Sequence, residues 1–265
     1  MYDKSSPFTA ASRPERRDSF TDAAYSTFRA AIIDCRLSPG KAVSEAELAN
    51  RFAFGLAAVR AAIMRLTANG WVSPGGRRGS MVLPVSAEHL ADLATSRLCL
   101  EPILLRDPPP AGVEAELQLG AQAFQAAILQ APRMERLALL HQERALLLMI
   151  AKVITAPRIR NWLIDTWDLC LRTDRYLEKE FEIVREPLPL SALAMALADG
   201  SSQEAAGVLA QMRDDFDLRV SWALGRSRMP LASPVEIRKF VSSCSPAPRR
   251  STVSHDDTSA KGNLL

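Results

Sequence analysis

The side chains able to do chemistry in this chain favour recognition of anions over catalysis. Histidine is scarce, with only His89, His141 and His255, so a multi-histidine metal site is not available within one subunit. Cys35, Cys99, Cys170 and Cys244 are far apart and show no paired C-x-x-C spacing, which suggests neither a zinc ribbon nor a disulfide framework and fits a reducing cytoplasm. Carboxylate pairs such as Glu143 with Asp215, or Asp214 with Asp215, could in principle exchange protons with a buried substrate. No nucleophile motif and no Gly-rich phosphate loop between a strand and a helix accompanies them. Gly75-Gly76-Arg77-Arg78-Gly79 is too short for such a loop and falls in a hairpin, so the residues do not read as an enzyme. What does gather is basic charge. Between Arg13 and Ser80 eleven Lys or Arg face six Asp or Glu, an excess suited to phosphates.

The elements that must position this charge are legible. A helix over Asp22 to Cys35 is stopped by Ser38-Pro39-Gly40, a turn signal. A second helix begins at Ser44-Glu45-Ala46-Glu47, where Ser44 can cap and Glu47 can reach back; it should bury Ala46, Leu48 and Ala49 and end near Phe52. After the tight turn Ala53-Phe54-Gly55, a third helix runs from about Leu56 to Asn69 with Val59, Ala62, Ile63 and Leu66 on one apolar face. Trp71-Val72 and Met81-Val82-Leu83 then flank the basic Gly-rich tip as two short strands, a wing.

The rest is read as helix after helix. Ser86 caps a long helix from Ala87 toward Leu105, and Leu117 to Gln130, Met134 to Ile154, Pro157 to Phe181, Leu190 to Ala198 and Ser202 to Leu224 follow. An antiparallel bundle is the economical packing. Asp168, Arg172, Asp174, Arg175 and Glu178 read as a solvated charged face. The expected organisation is a flexible arm at 1–18, a helix-turn-helix unit at 19–84, a helical domain at 85–226 and a disordered tail at 227–265. At 48% hydrophobic residues the chain can bury a core. No apolar run approaches the roughly 18 residues of a membrane span, and the start lacks the apolar segment of a secretion signal.

The run from Phe28 to Pro84, with Arg36-Leu37-Ser38-Pro39-Gly40, Val43-Ser44-Glu45-Ala46-Glu47-Leu48-Ala49, Val59-Arg60, Arg65-Leu66, Asn69-Gly70-Trp71-Val72 and Arg78-Gly79, resembles the winged helix of GntR-type bacterial transcription regulators. Ser86-Ala87-Glu88-His89-Leu90, Arg97-Leu98-Cys99-Leu100-Glu101 and the helical remainder to about Gly225 resemble the effector-binding bundle of the FadR subgroup, the FCD domain. The resemblance implies a mainly α protein in which the winged helix binds double-stranded operator DNA as a homodimer and the bundle answers to a small organic effector. It implies DNA contacts from Ser44, Arg51, Arg60, Arg77, Arg78 and Gly79.

Many FCD bundles hold a metal with an acid and three histidines. Aligning Ala156-Pro157-Arg158-Ile159 with the family's turn places Glu143 at the acidic position and Leu147 where the first histidine belongs; aligning Asp199-Gly200 places Leu190 or a neighbour at the second, and Met212-Arg213-Asp214-Asp215 places Asp215 at the third, so no metal or other cofactor is expected. With Leu147 and Leu190 facing inward and Arg97 at a family arginine position near the ligand, the expected effector is an apolar carboxylic acid or none, and Arg97 could equally pair with Glu101 at i, i+4. Before the third helix the family supplies Ser or Thr, Arg, then Thr. Here Gly55-Leu56-Ala57-Ala58 has no side-chain donors, so either DNA is still read through Arg60 and the wing, or the protein is a degenerate regulator or dimerising adaptor.

Overall fold

The computed structural model describes residues 17–75, 79–130 and 135–226 of the 265-residue chain. Apart from Arg17 and Asp18, the expected arm and the expected tail lie outside these residues. Helix α1 (Arg17–Ile33) starts a turn earlier than Asp22 and ends at Ile33, where Cys35 takes a left-handed φ of 53° and Leu37 N–H returns to Ala31 O. Helix α2 (Glu45–Phe52) is capped as its sequence requires, with Ser44 Oγ accepting from Glu47 N–H at 3.1 Å. Helix α3 (Leu56–Ala68) follows a three-residue turn, in which Ala53 adopts φ 56° and sends its N–H to Ala49 O.

The wing is larger than a hairpin. Strands β1 (Ala42–Val43), β2 (Val72–Pro74) and β3 (Ser80–Val82) form an antiparallel sheet in the order β1-β3-β2, with Val43 opposite Ser80 and Val72 opposite Val82. β1 went unforeseen because two residues carry no period; it is defined by its partner. The head closes on Phe28, Ile32, Leu48, Val59, Ala62, Leu66, Trp71 and Val82, all buried. The Phe28 ring lies 5.3 Å from Phe52 in a tilted contact and 5.7 Å from Phe54 edge-on. Leu48 alone anchors α2 among its fully buried positions; Ala46, expected inside, is exposed and Ala49 half-buried.

Helix α4 (Ala87–Leu100) is shorter than expected, because Pro102 has no N–H with which to continue the ladder; Glu101–Leu105 tighten into a 3-10 turn instead. Helices α5 (Val113–Gln130), α6 (Arg136–Ile150), α7 (Pro157–Phe181), α8 (Leu190–Ala198) and α9 (Ser202–Arg226) complete the body, with Ala151–Val153 another 3-10 turn at the end of α6. α5 packs on α6 and α8, α4 on α7, and α9 on α7 and α8. The fold is thus mainly helical: a winged helix-turn-helix with a small three-stranded sheet, then a helical C-terminal region.

Head and body share one contiguous apolar cluster. Polar bonds reinforce it: Arg29 reaches Asp165 at 2.5 Å and Asp168 at 2.7 Å, Arg172 donates to Leu83 O at 2.8 Å, and Lys179 donates to Cys35 O at 3.0 Å.

Candidate nucleic-acid interface and body cavity

The outward side of the head is built by α2, α3 and the sheet. α3 turns Val59, Ala62 and Leu66 inward, so Leu56, Ala57, Arg60 and Met64 face out. Arg60 is 64% exposed and donates from Nε to Glu45 Oε2 at 2.6 Å. This contact joins the starts of α2 and α3 and orients the guanidinium. Arg51 donates to Arg36 O at 2.9 Å and lies over the Phe52 ring. Ser44 spends its hydroxyl as the cap of α2. Gly79 has φ 90°, and a Cβ there would sit 2.6 Å from Val43 O, so close strand approach by itself requires glycine. Arg77 and Arg78 lie outside the described residues.

Several charged residues of the body turn out to be internal. Arg97 is buried and donates from Nε to Glu101 Oε1 at 2.7 Å and from Nη1 to Met212 O at 3.4 Å. Glu101, fully buried, also accepts from Trp167 Nε1 at 3.1 Å and Arg213 at 2.6 Å. Glu143, equally buried, takes both arms of Arg185 at 2.7 and 2.6 Å, and Leu188 N–H at 2.9 Å. Asp174 accepts from Arg185 Nε at 2.7 Å and Arg219 at 3.0 Å. Burial opposes the charge of Arg97 and of Arg185, yet the adjoining carboxylates keep both pKa values above the ordinary arginine range.

These bonds correct the solvated-face reading of α7. Asp168, Arg172 and Asp174 are buried, while Arg175 and Glu178 are half-buried. Their partners come from distant elements: Arg144 forks onto Asp168 at 2.7 and 2.9 Å, and Arg172 meets His89 Nε2 at 2.9 Å. Burial, then Arg172, lowers the His89 pKa to about 4. Burial likewise raises the Cys35 thiol to about 11 and Cys170 to about 12, which leaves both protonated and unreactive near neutrality.

A cavity of about 20 Å³ lies between Arg97, Leu147, Asp174, Leu188, Met212 and Arg219, room for roughly one water. Of the residues expected at the effector site, Arg97 and Leu147 line it and Glu143 sits behind it, bonded to Leu188 of the wall. Leu190 is fully buried and outside its lining, and Asp215 is exposed. Arg185 and Arg219 were missed because α7–α8 loop geometry and the facing of α9 have no local signal. His141, half-exposed, meets Asp34 at 3.0 Å. Among the described residues no three His, Cys, Asp or Glu side chains gather as a metal-ligand set, and no helix is long and apolar enough to cross a membrane.

Comparison with known proteins places this geometry. Residues 20–82 match the model of "Bacterial regulatory proteins, gntR family". An uncharacterized HTH-type transcriptional regulator, BphR, of Paraburkholderia xenovorans (strain LB400) is 34% identical over 88 residues, 33% of this chain and 36% of that relative. The match therefore spans about a third of the relative's length. A crystal structure of a putative transcriptional regulator GntR from Rhodococcus sp. RHA1 superposes with a TM-score of 0.58 at 21% identity, covering 79% of this chain and 100% of that one. E. coli McbR/YncC gives a TM-score of 0.59 at 17% identity over 74% of this chain and 94% of its own. Both are likenesses of fold. Residues 20–82 are accordingly similar to the winged helix-turn-helix of the gntR family, and here they are carried on a helical C-terminal region.

Proposed function

We propose that this protein is a cytoplasmic transcription regulator and not an enzyme, one that binds double-stranded operator DNA as a homodimer through its winged helix. The observation that carries this reading is the outward face of α3, exposed beside α2 with Arg60 oriented by Glu45. An arginine fork there suits guanine N7 and O6 in a major groove. Arg51, the wing arginines Arg77 and Arg78 and the wing backbone at Gly79 add phosphate or minor-groove contacts, and Ser44 fixes the start of α2 beside them. The names of the relatives agree in kind.

The helical region is an FCD-like effector domain of the FadR subgroup that works without a metal. Its ligand is a small organic acid, met by Arg97 and Arg219 in an apolar setting that includes Leu147, with Glu143 behind the wall through Leu188. The cavity of about 20 Å³ holds no such molecule as it stands. The effector therefore selects an opened state in which Leu188 has moved and Glu143 has lost that N–H. Because the body is bonded to the head through Arg29, Arg172 and Lys179, opening alters how the head is held.

Selection of random duplexes on the purified full chain, at about physiological salt where purely electrostatic binding is weak, tests the reading. An enriched palindrome is the expected result. Failure to enrich any sequence, from folded dimeric protein, would replace it with the adaptor reading, which the donor-free Gly55-Leu56-Ala57-Ala58 start favours.

A further inference from the structure

The outer face of α3 carries an exposed apolar stripe. Leu56 is 48% and Met64 72% exposed. They stand four residues to either side of Arg60, so the three share one side of the helix, with Ala57 exposed beside them. Leu56 and Met64 are separated by about 12 Å along the axis, on the order of three base pairs of duplex. The stripe contains no hydroxyl, amide or carboxylate. Glu45 engages Arg60 through Nε, and the two Nη groups have no acceptor among the described residues.

An exposed stripe of this kind on the recognition helix of a basic head needs an apolar counterpart next to an acceptor pair. In the major groove one base edge offers an apolar group, the C5 methyl of thymine, and guanine offers the acceptor pair. We propose that α3 reads thymine methyls through Leu56 and Met64 on the two sides of a guanine contacted by Arg60. The operator half-site is then a guanine flanked within about three base pairs by thymines. This rests on the operator-binding reading and specifies its partner: Gly55-Leu56-Ala57-Ala58 exchanges polar readout for apolar readout.

The test starts from the duplex selected on the full chain and replaces each thymidine in turn by deoxyuridine, which pairs identically but lacks the methyl. Wild-type affinity should fall roughly fourfold at each contacted thymine, the worth of one buried methyl. Leu56→Ala and Met64→Ala, both at exposed positions, should each abolish the uridine penalty at one thymine and leave it at the other. Thymidine and deoxyuridine duplexes bound equally at every position would overturn the proposal and leave operator binding intact. The absence of any selected sequence would overturn operator binding itself, and this proposal with it.

Discussion

Arg185 shows how one side chain decides the character of the body. It sits in the extended link between α7 and α8 and neutralises two buried carboxylates at once, Glu143 and Asp174. Arg185→Ala strands Glu143 in the core while Asp174 keeps Arg219, an expected loss of about 3–5 kcal/mol in urea unfolding. His89 is the second such residue. Its folded pKa of about 4 lies below the ordinary 6.5, so between those values the unfolded chain binds a proton that the folded one refuses. Stability is full above pH 6.5 and is lost as pH falls toward 4, by about 3 kcal/mol at about 1.4 kcal/mol per pKa unit. His89→Gln should flatten that stretch of a stability-versus-pH curve. At the DNA surface, Arg60→Ala should cost about 1–3 kcal/mol of binding and relax preference at a single base pair, read by titrating duplexes mutated at each position. Uniform weakening across all duplexes would instead make Arg60 a phosphate contact.

At the scale of elements, the wing and the α7–α8 link are the segments whose geometry depends on contacts far along the chain. β1 exists because Val43 pairs with Ser80, and Gly79 exists because Val43 O leaves no room for a Cβ. Gly79→Ala must therefore push β1 and β3 apart, on top of the strain of a positive φ. The expected outcome is an equal loss of affinity for all duplexes together with a lower melting temperature of the whole protein, measured by binding and circular dichroism on one preparation. Helix boundaries obey local chemistry more closely. Pro157 opens α7 at its first position, and Ser44 caps α2. Pro102 ends α4 early by removing one donor, a signal present in the sequence but outweighed there by the apolar run through Leu105.

At the scale of the molecule, the contiguous core and the bonds of α7 to α1 make head and body one cooperative unit. Asp168 is the hub, buried and bound by Arg29 from the head and Arg144 from the body. Wild-type protein should melt in a single calorimetric transition. Asp168→Asn should separate a lower-melting head from the body; a single unshifted transition in that variant would show that apolar packing alone couples them.

The sequence by itself determined the winged helix, because a Pro-Gly stop, a capping box, a helical apolar stripe and a Gly-rich tip are all local signals, and each agrees with the others. It also carried the helical nature of the body and the limits of α7 and α8, where apolar period and breakers coincide. Only the tertiary structure decided which charges are inside. Asp168, Arg172 and Asp174 have the spacing of an exposed face, and their burial depends on arginines and a histidine supplied by α1, α4, α6, α9 and the link before α8. Arg97 and Glu101 lie four residues apart and could be paired by eye, but Asp168 and Arg172 are buried because partners such as Arg29, Arg144 and His89 are brought to them from far along the chain.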